Sequence, residues 1–142
     1  MTEELGTTGP AGLHQPLIGI VDDDASVRMA LANWLRSIGI SSHTFASGEE
    51  LLRSPVLAQL CCLILDQRMP GMTGLEVMRA LELAGQRIPT IMVSAHDDQE
   101  TQLRADTAGA FAFVPKPFAD FTLMERVHDA LDRCQEHHRR TP

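Results

Sequence analysis

The residues best suited to chemistry are polar groups placed where short apolar runs end: Asp22-Asp23-Asp24 after Leu17–Val21, Asp66 after Leu60–Leu65, Ser94 after Ile91–Val93, and Lys116 after Ala110–Val114. Carboxylates gathered in one crevice repel one another and raise each other's pKa unless a cation offsets them. A hard divalent ion does this best, and Mg2+ suits the set because it prefers oxygen ligands and tolerates an incomplete protein shell. A lysine and a hydroxyl opposite the acids supply the positive charge and the donor that a phosphoryl group needs around its oxygens. Asp66, alone after the most apolar run, is the candidate acceptor, since an aspartate can attack phosphorus to give an acyl phosphate.

These residues converge only if the chain folds as the apolar pattern implies. From Leu17 to about Cys134, short apolar runs alternate with amphipathic stretches, the signature of repeated strand and helix units, and five such pairs can be counted. Leu17–Val21 reads as a buried strand, and Val27, Leu31, Trp34, Leu35 and Ile38 recur at helical steps before Gly39. Ile40–Phe45 is a more polar strand suited to a sheet edge. Ser47 with Glu50, and Thr73 with Glu76, have the form of capping boxes opening two further helices, the second with Val77, Met78 and Leu81 inward. Leu60–Leu65 is apolar throughout, as expected of a central strand covered on both faces. Gln99–Ala108 is expected to form the fourth helix, and the last is expected to bury Phe121, Met124, Val127, Leu131 and Cys134. Parallel strands joined by right-handed crossovers give a doubly wound α/β sheet, in which every strand end named above opens on one edge.

Four motifs in order, Ile20-Val21-Asp22-Asp23-Asp24, Asp66-Gln67-Arg68-Met69-Pro70-Gly71-Met72-Thr73-Gly74-Leu75-Glu76, Ser94-Ala95-His96 and Lys116-Pro117-Phe118, resemble the receiver domain of response regulators in two-component signalling. The likeness is nearest to receivers of the nitrogen-fixation regulator type, judged by Arg-Met-Pro after the acceptor and Lys-Pro-Phe at the lysine. It covers roughly Leu17 to Cys134 and implies a flavodoxin-like fold, a five-stranded parallel sheet in the order 2-1-3-4-5 with five helices. It further implies that Asp66 is phosphorylated by a histidine kinase or phosphotransfer protein, and that Asp22, Asp23, Asp66 and the Arg68 backbone carbonyl bind Mg2+, Asp22 mainly through water. Ser94 and Lys116 would bind phosphoryl oxygens, Ser94 and Phe113 would form the switch, and Arg68 and His96 would tune the phosphoaspartate lifetime. A cis Lys116-Pro117 bond, a downstream protein target and a homodimer formed on phosphorylation belong to the same expectation. So does chemistry that is stoichiometric, with slow self-dephosphorylation, rather than turnover.

Composition bounds the partners. The 142 residues suit one domain, and 44% apolar residues can build one core. A net charge of −7 opposes binding to nucleic acid or an anionic membrane. No apolar run approaches the roughly 20 residues of a membrane span, and Met1-Thr2-Glu3-Glu4 lacks the basic start of a secretory signal, so a cytoplasmic location is expected. Residues 1–16 read as a flexible tail, 17–135 as the receiver and 136–142 as a polar tail, which leads us to expect a stand-alone or excised receiver without an output segment.

Each feature also has a plainer account. Asp24 suits an N-cap better than a metal ligand. Ser94 by itself is an ordinary strand-end hydroxyl, Phe113 by itself a core residue, and His96 by itself a loop residue. Lys116 stands between Pro115 and Pro117, whose fixed backbone favours a set direction over a solvated charge. Three cysteines make no disulfide framework, and Cys61 and Cys62 are expected on opposite sides of one strand as small hydrophobes. Gly6, Gly9 and Gly12 follow no strand and are interrupted by Pro10, which rules against a nucleotide loop. Two other functions use the same residues: a Mg2+-dependent phosphatase passing through aspartyl phosphate, and a phosphorylation-independent scaffold. The first is disfavoured because Arg68 stands where such enzymes place a second aspartate, and the second because no acidic, hydroxyl or lysine position is missing.

Overall fold

The computed structural model describes residues 16–95, 99–116 and 122–140. His96, the Lys116-Pro117 bond, Phe118, Phe121 and all but the last residue of the expected N-terminal tail lie outside them. Five parallel strands, β1 (Leu17–Val21), β2 (Ser41–Phe45), β3 (Cys62–Asp66), β4 (Thr90–Ala95) and β5 (Ala112–Lys116), form one sheet in the order β2-β1-β3-β4-β5. The connecting helices are α1 (Ala25–Ser37), α2 (Gly48–Leu52), α3 (Gly74–Leu83), α4 (Gln99–Thr107) and α5 (Thr122–Arg140), with a short 3-10 turn at Leu57–Gln59.

Strand alternation assigns each helix to a face. Ile18, Ile20, Cys62, Ile64, Ile91, Val93 and Val114 pack with Leu31 and Leu35 of α1 and Leu123 and Val127 of α5. Val21, Phe45, Leu63, Leu65 and Met92 pack on the other side with Leu51 of α2, Val77 and Leu81 of α3, and Ala105 of α4. The edge strand β2 is the least buried, as its polar sequence implies. β3 is buried at all five positions.

Several boundaries differ from the sequence expectation, because an apolar run does not mark where ladder hydrogen bonds begin. β3 starts at Cys62 rather than Leu60, since the Leu60 N–H closes the 3-10 turn onto the Leu57 carbonyl at 3.2 Å. β5 is displaced from Ala110–Val114 to Ala112–Lys116, because the Ala110 N–H is taken by the Ala105 carbonyl at the end of α4. β4 extends over the polar Thr90 and Ser94. Along α5 the buried stripe is Leu123, Val127, Ala130 and Leu131; Met124 is only half-buried. That helix continues to Arg140, through most of the stretch 136–142 read as a polar tail. Cys61 and Cys62 both lie on the α1/α5 face, since Cys61 precedes the regular strand and escapes its alternation.

Candidate functional site at the carboxyl edge of the sheet

Asp22 follows β1 directly and is 2% exposed. Its polar atoms are held from several directions. The backbone N–H donates to the Phe45 carbonyl at 3.2 Å, and Oδ1 accepts the Asp24 N–H at 2.9 Å. Oδ2 accepts from Lys116 Nζ at 3.1 Å, and the carbonyl accepts from the Arg28 guanidinium at 2.6 Å. Asp23 is exposed. Asp24 caps α1, its Oδ1 accepting the Ser26 N–H at 2.9 Å and the Ser26 hydroxyl at 2.6 Å, and these bonds hold its carboxyl below the usual range.

Asp66 is the last residue of β3 and 5% exposed. Its carboxylate accepts the Arg68 backbone N–H and faces Lys116 Nζ at 3.3 Å. Burial pushes its pKa up and the neighbouring Asp22 charge adds to this; Lys116 and the Arg68 amide offset only part. Lys116 ends β5 and reaches both acids. Burial alone would lower its pKa, but the hydrogen bond to Asp22 and the charges of Asp66 and Asp22 outweigh that and raise it.

Ser94 lies on β4 beside β3 and is 1% exposed; its Oγ is a buried polar atom without a hydrogen-bond partner among the described residues. A buried hydroxyl in that state is costly unless a further group completes it. Phe113 is half-buried and packs against the α2/α3/α4 cluster. Ser94 follows Met92 by two residues and so shares that same face. Arg68 is exposed in the loop after β3.

Asp22, Asp23 and Asp66 each offer a carboxylate oxygen within 4.8 Å of the others. An all-oxygen set of this kind fits a hard divalent cation that keeps open positions. A cation-sized acidic cluster and a primary ammonium thus meet at this edge of the sheet, and the unsatisfied hydroxyl lies on the strand next to Asp66.

Three residues at the site had no role in the sequence reading. Arg28 was hidden as one polar position beside the apolar Val27. Gln67 was only a letter in the motif after the acceptor, yet its Oε1 accepts the Leu75 N–H at 2.9 Å and its carbonyl the Gly74 N–H at 3.0 Å. Gly74 permits this approach, because a Cβ there would lie 2.7 Å from the Asp66 carbonyl oxygen and 3.0 Å from Gln67 Cα. The unusual placement of a glycine at the first position of a helix was the available signal. The Thr73–Glu76 capping box forms as expected, at 3.2 and 2.8 Å. In the Ser47–Glu50 pair, the Glu50 carboxylate instead reaches the Ala46 N–H.

No helix among the described residues is long and apolar enough to cross a membrane. Residues 18–128 match the family described as the response regulator receiver domain. The response regulator TodT of Pseudomonas putida is 39% identical over 126 residues, which cover 89% of this chain and 56% of TodT. The DNA-binding transcriptional regulator NtrC of Klebsiella pneumoniae is 36% identical over 87% of this chain and 26% of its own length. Among solved structures, FixJ-N superposes with a TM-score of 0.77 at 33% identity, covering 84% of this chain and 96% of that one. The chain therefore spans about half the length of TodT and a quarter of NtrC. By sequence match, strand order and relatives that include a nitrogen regulator, this chain belongs to the response-regulator receiver domains of two-component systems.

Proposed function

We propose that the chain is a phosphoacceptor whose Asp66 takes a phosphoryl group from a phosphohistidine of a kinase or phosphotransfer protein. The observation that carries this is a single ammonium, Lys116 Nζ, shared between two buried carboxylates at 3.1 and 3.3 Å, with a partnerless buried hydroxyl on the adjoining strand. Asp22, Asp23 and Asp66 with the Arg68 carbonyl would hold Mg2+, which when bound supplies the positive charge that lets an anionic phosphoryl group approach the acids.

An Asp66 carboxylate oxygen attacks phosphorus. The O–P bond forms as the N–P bond breaks with its electron pair kept by the imidazole, which leaves neutral when its other nitrogen already carries a proton. Lys116 turns from the carboxylates to a phosphoryl oxygen, and the Ser94 hydroxyl gains the acceptor it lacks. The product carries about −1.5 to −2 charges on the phosphoryl group in place of the single carboxylate charge of Asp66, a net gain of about one negative charge at most. Ser94 moving toward the phosphoryl group leaves space on the face it shares with Phe113, whose inward turn alters the α4/β5/α5 surface for a protein target or a second copy. That requires two packings within a few kcal/mol, with the phosphoryl group favouring one by a comparable margin. Arg68, exposed beside Asp66, and His96 would govern how readily water reaches the acyl phosphate.

Incubation with acetyl phosphate and Mg2+, followed by intact mass measurement, tests the assignment. The wild-type chain is expected to gain one hydroxylamine-labile phosphoryl group and Asp66→Ala none. Full labelling of Asp66→Ala would remove Asp66 as the acceptor.

A further inference from the structure

The first amides of any helix lack intrahelical partners, and in α3 each has an identifiable one. Thr73 Oγ1 accounts for the third, accepting the Glu76 N–H at 3.2 Å, and the fourth, Val77, already closes the first regular helical bond on the Thr73 carbonyl at 3.0 Å. The first two are both taken by Gln67, the residue next to Asp66. Its carbonyl accepts the Gly74 N–H at 3.0 Å and its Oε1 the Leu75 N–H at 2.9 Å. The Gln67 N–H meanwhile donates to the Val93 carbonyl at 3.0 Å. One residue is thus tied to β4 through its amide and to α3 through both its carbonyl and its side chain.

We infer that Gln67 is a positioning residue for phosphoryl transfer, fastening the acceptor's own backbone to helix α3 so that Asp66 and Arg68 present a fixed geometry. Gln67 lies between Asp66 and Arg68, whose backbone N–H holds the Asp66 carboxylate. Rotation of the peptide joining Gln67 to Arg68 would move that N–H together with the Gln67 carbonyl. Three hydrogen bonds resist such rotation, and Gly74 leaves room for the approach, since a Cβ there would lie 2.7 Å from the Asp66 carbonyl oxygen. The side-chain bond is the one that Gln67 contributes by its identity, since any residue would supply the peptide groups. Misplacement of a reacting group by a fraction of an ångström is enough to slow an in-line displacement.

This inference rests on the phosphoacceptor reading, and one experiment separates the two. Phosphorylation of the full chain by acetyl phosphate is followed at saturating Mg2+, at a temperature where urea titration shows every variant folded. Gln67→Met keeps the length of the side chain but removes the acceptor, and its rate is expected to fall about fivefold. Gln67→Glu keeps an acceptor oxygen for Leu75 and is expected to stay within about twofold of wild type. Thr73→Ala removes a different cap of the same helix and is likewise expected to stay within about twofold, which a role limited to stabilising α3 would not allow for one cap and forbid for the other. Should Gln67→Met fail to fold, Gln67→Asn, too short to reach Leu75, replaces it with the same expectation. Equal rates for wild type and Gln67→Met, or equal slowing by Thr73→Ala, would overturn the positioning role alone. A wild-type chain that takes no label would overturn the phosphoacceptor reading and this inference with it.

Discussion

Helix α4 and the carboxyl edge of the sheet both hold opposite charges at hydrogen-bond distance, and they differ in what surrounds them. On helix α4, Arg104 Nη2 lies 2.6 Å from Glu100 Oε2, with the two side chains 66% and 75% exposed. At the carboxyl edge of the sheet, Lys116 Nζ lies 3.1 and 3.3 Å from Asp22 and Asp66, whose side chains are 2% and 6% exposed. Distance alone ranks the surface pair first. The attraction between unit charges at about 3.2 Å is about 1.3 kcal/mol in water and about 5 kcal/mol at an effective dielectric of about 20, so surroundings reverse the ranking. The surface pair also orders two long side chains at an entropic cost, whereas the carboxylates of the pocket are already fixed by their strands. The pocket pairs cannot be judged by attraction alone, because desolvating two acids beside one amine leaves an excess of negative charge. That excess is what a magnesium ion or the cationic surroundings of a transferred phosphoryl group would require, and the α4 pair has no counterpart to it.

The largest effect should come from removing the shared ammonium. Lys116→Met leaves two buried carboxylates without their cation and is expected to lower the unfolding free energy by about 2–3 kcal/mol in chelator at pH 7.5, less than for a fully buried pair because Lys116 is partly solvated. Urea titration measures it. A loss below about 0.5 kcal/mol would place the pocket in the same class as the helical rim. The loss should also shrink at alkaline pH: the folded-state pKa of Lys116 is raised, so its contribution is complete below the ordinary lysine range and fades as pH rises through the folded value.

Divalent cation is the next test of the contrast. At a Mg2+ concentration ten times its dissociation constant, linkage adds about 1.4 kcal/mol to the wild-type chain. Asp23→Asn, at an exposed position where the fold has little at stake, is expected to lose most of that gain while matching wild type in chelator. An equal Mg2+ response in the two proteins would exclude Asp23 from the site.

Much of this contrast was legible in the sequence because it follows from periodicity. Alternating runs fixed which strand ends share an edge, so Asp22, Asp66, Ser94 and Lys116 could be brought together although as many as 94 residues separate Lys116 from Asp22. What escaped were contacts that depend on how closely one backbone approaches another. Neither the Gln67 amide on the start of α3 nor the Arg28 guanidinium on the Asp22 carbonyl has a pattern that distinguishes it from a solvated polar side chain. The strand limits slipped for a related reason, since Leu60 is as apolar as the residues of β3 but is held by a turn onto the Leu57 carbonyl. Cys61 shows the consequence. Placed by alternation it would face α3, yet it lies beside Cys134 of α5, whose thiol is pushed up to about 12 by burial and by the neighbouring Cys61.

Asp66 itself should reveal the strain of the pocket with a smaller effect and the opposite sign. Its folded pKa is raised, chiefly by burial and then by Asp22, so ionising it costs the folded chain more than the unfolded one. Stability is therefore lost as pH rises from the unfolded carboxylate range through the folded value. Asp66→Asn, which cannot ionise, is expected to be more stable than wild type at pH 7 in chelator, with the two curves converging toward pH 3. A variant less stable than wild type at pH 7 would mean that the Lys116 contact outweighs desolvation, reversing the order of those causes.

The smallest effect is expected at the shortest of these contacts. Breaking the Arg104–Glu100 pair in a double-mutant cycle with alanine should return a coupling of about 0.3–0.5 kcal/mol, reduced further by salt. Arg79–Glu82 at 3.5 Å and Arg126–Asp129 at 3.0 Å, also on helix surfaces, should return no more. The Arg104 cycle is the more telling because its 2.6 Å separation gives attraction its best opportunity, and the i,i+4 order with Glu nearer the helix start is the favourable one. A coupling above about 1 kcal/mol there would show that distance, rather than exclusion of water, governs ion pairs in this fold. The energetic distinction between the strand-end pocket and the helical surface would then have to rest on the crowding of like charges alone.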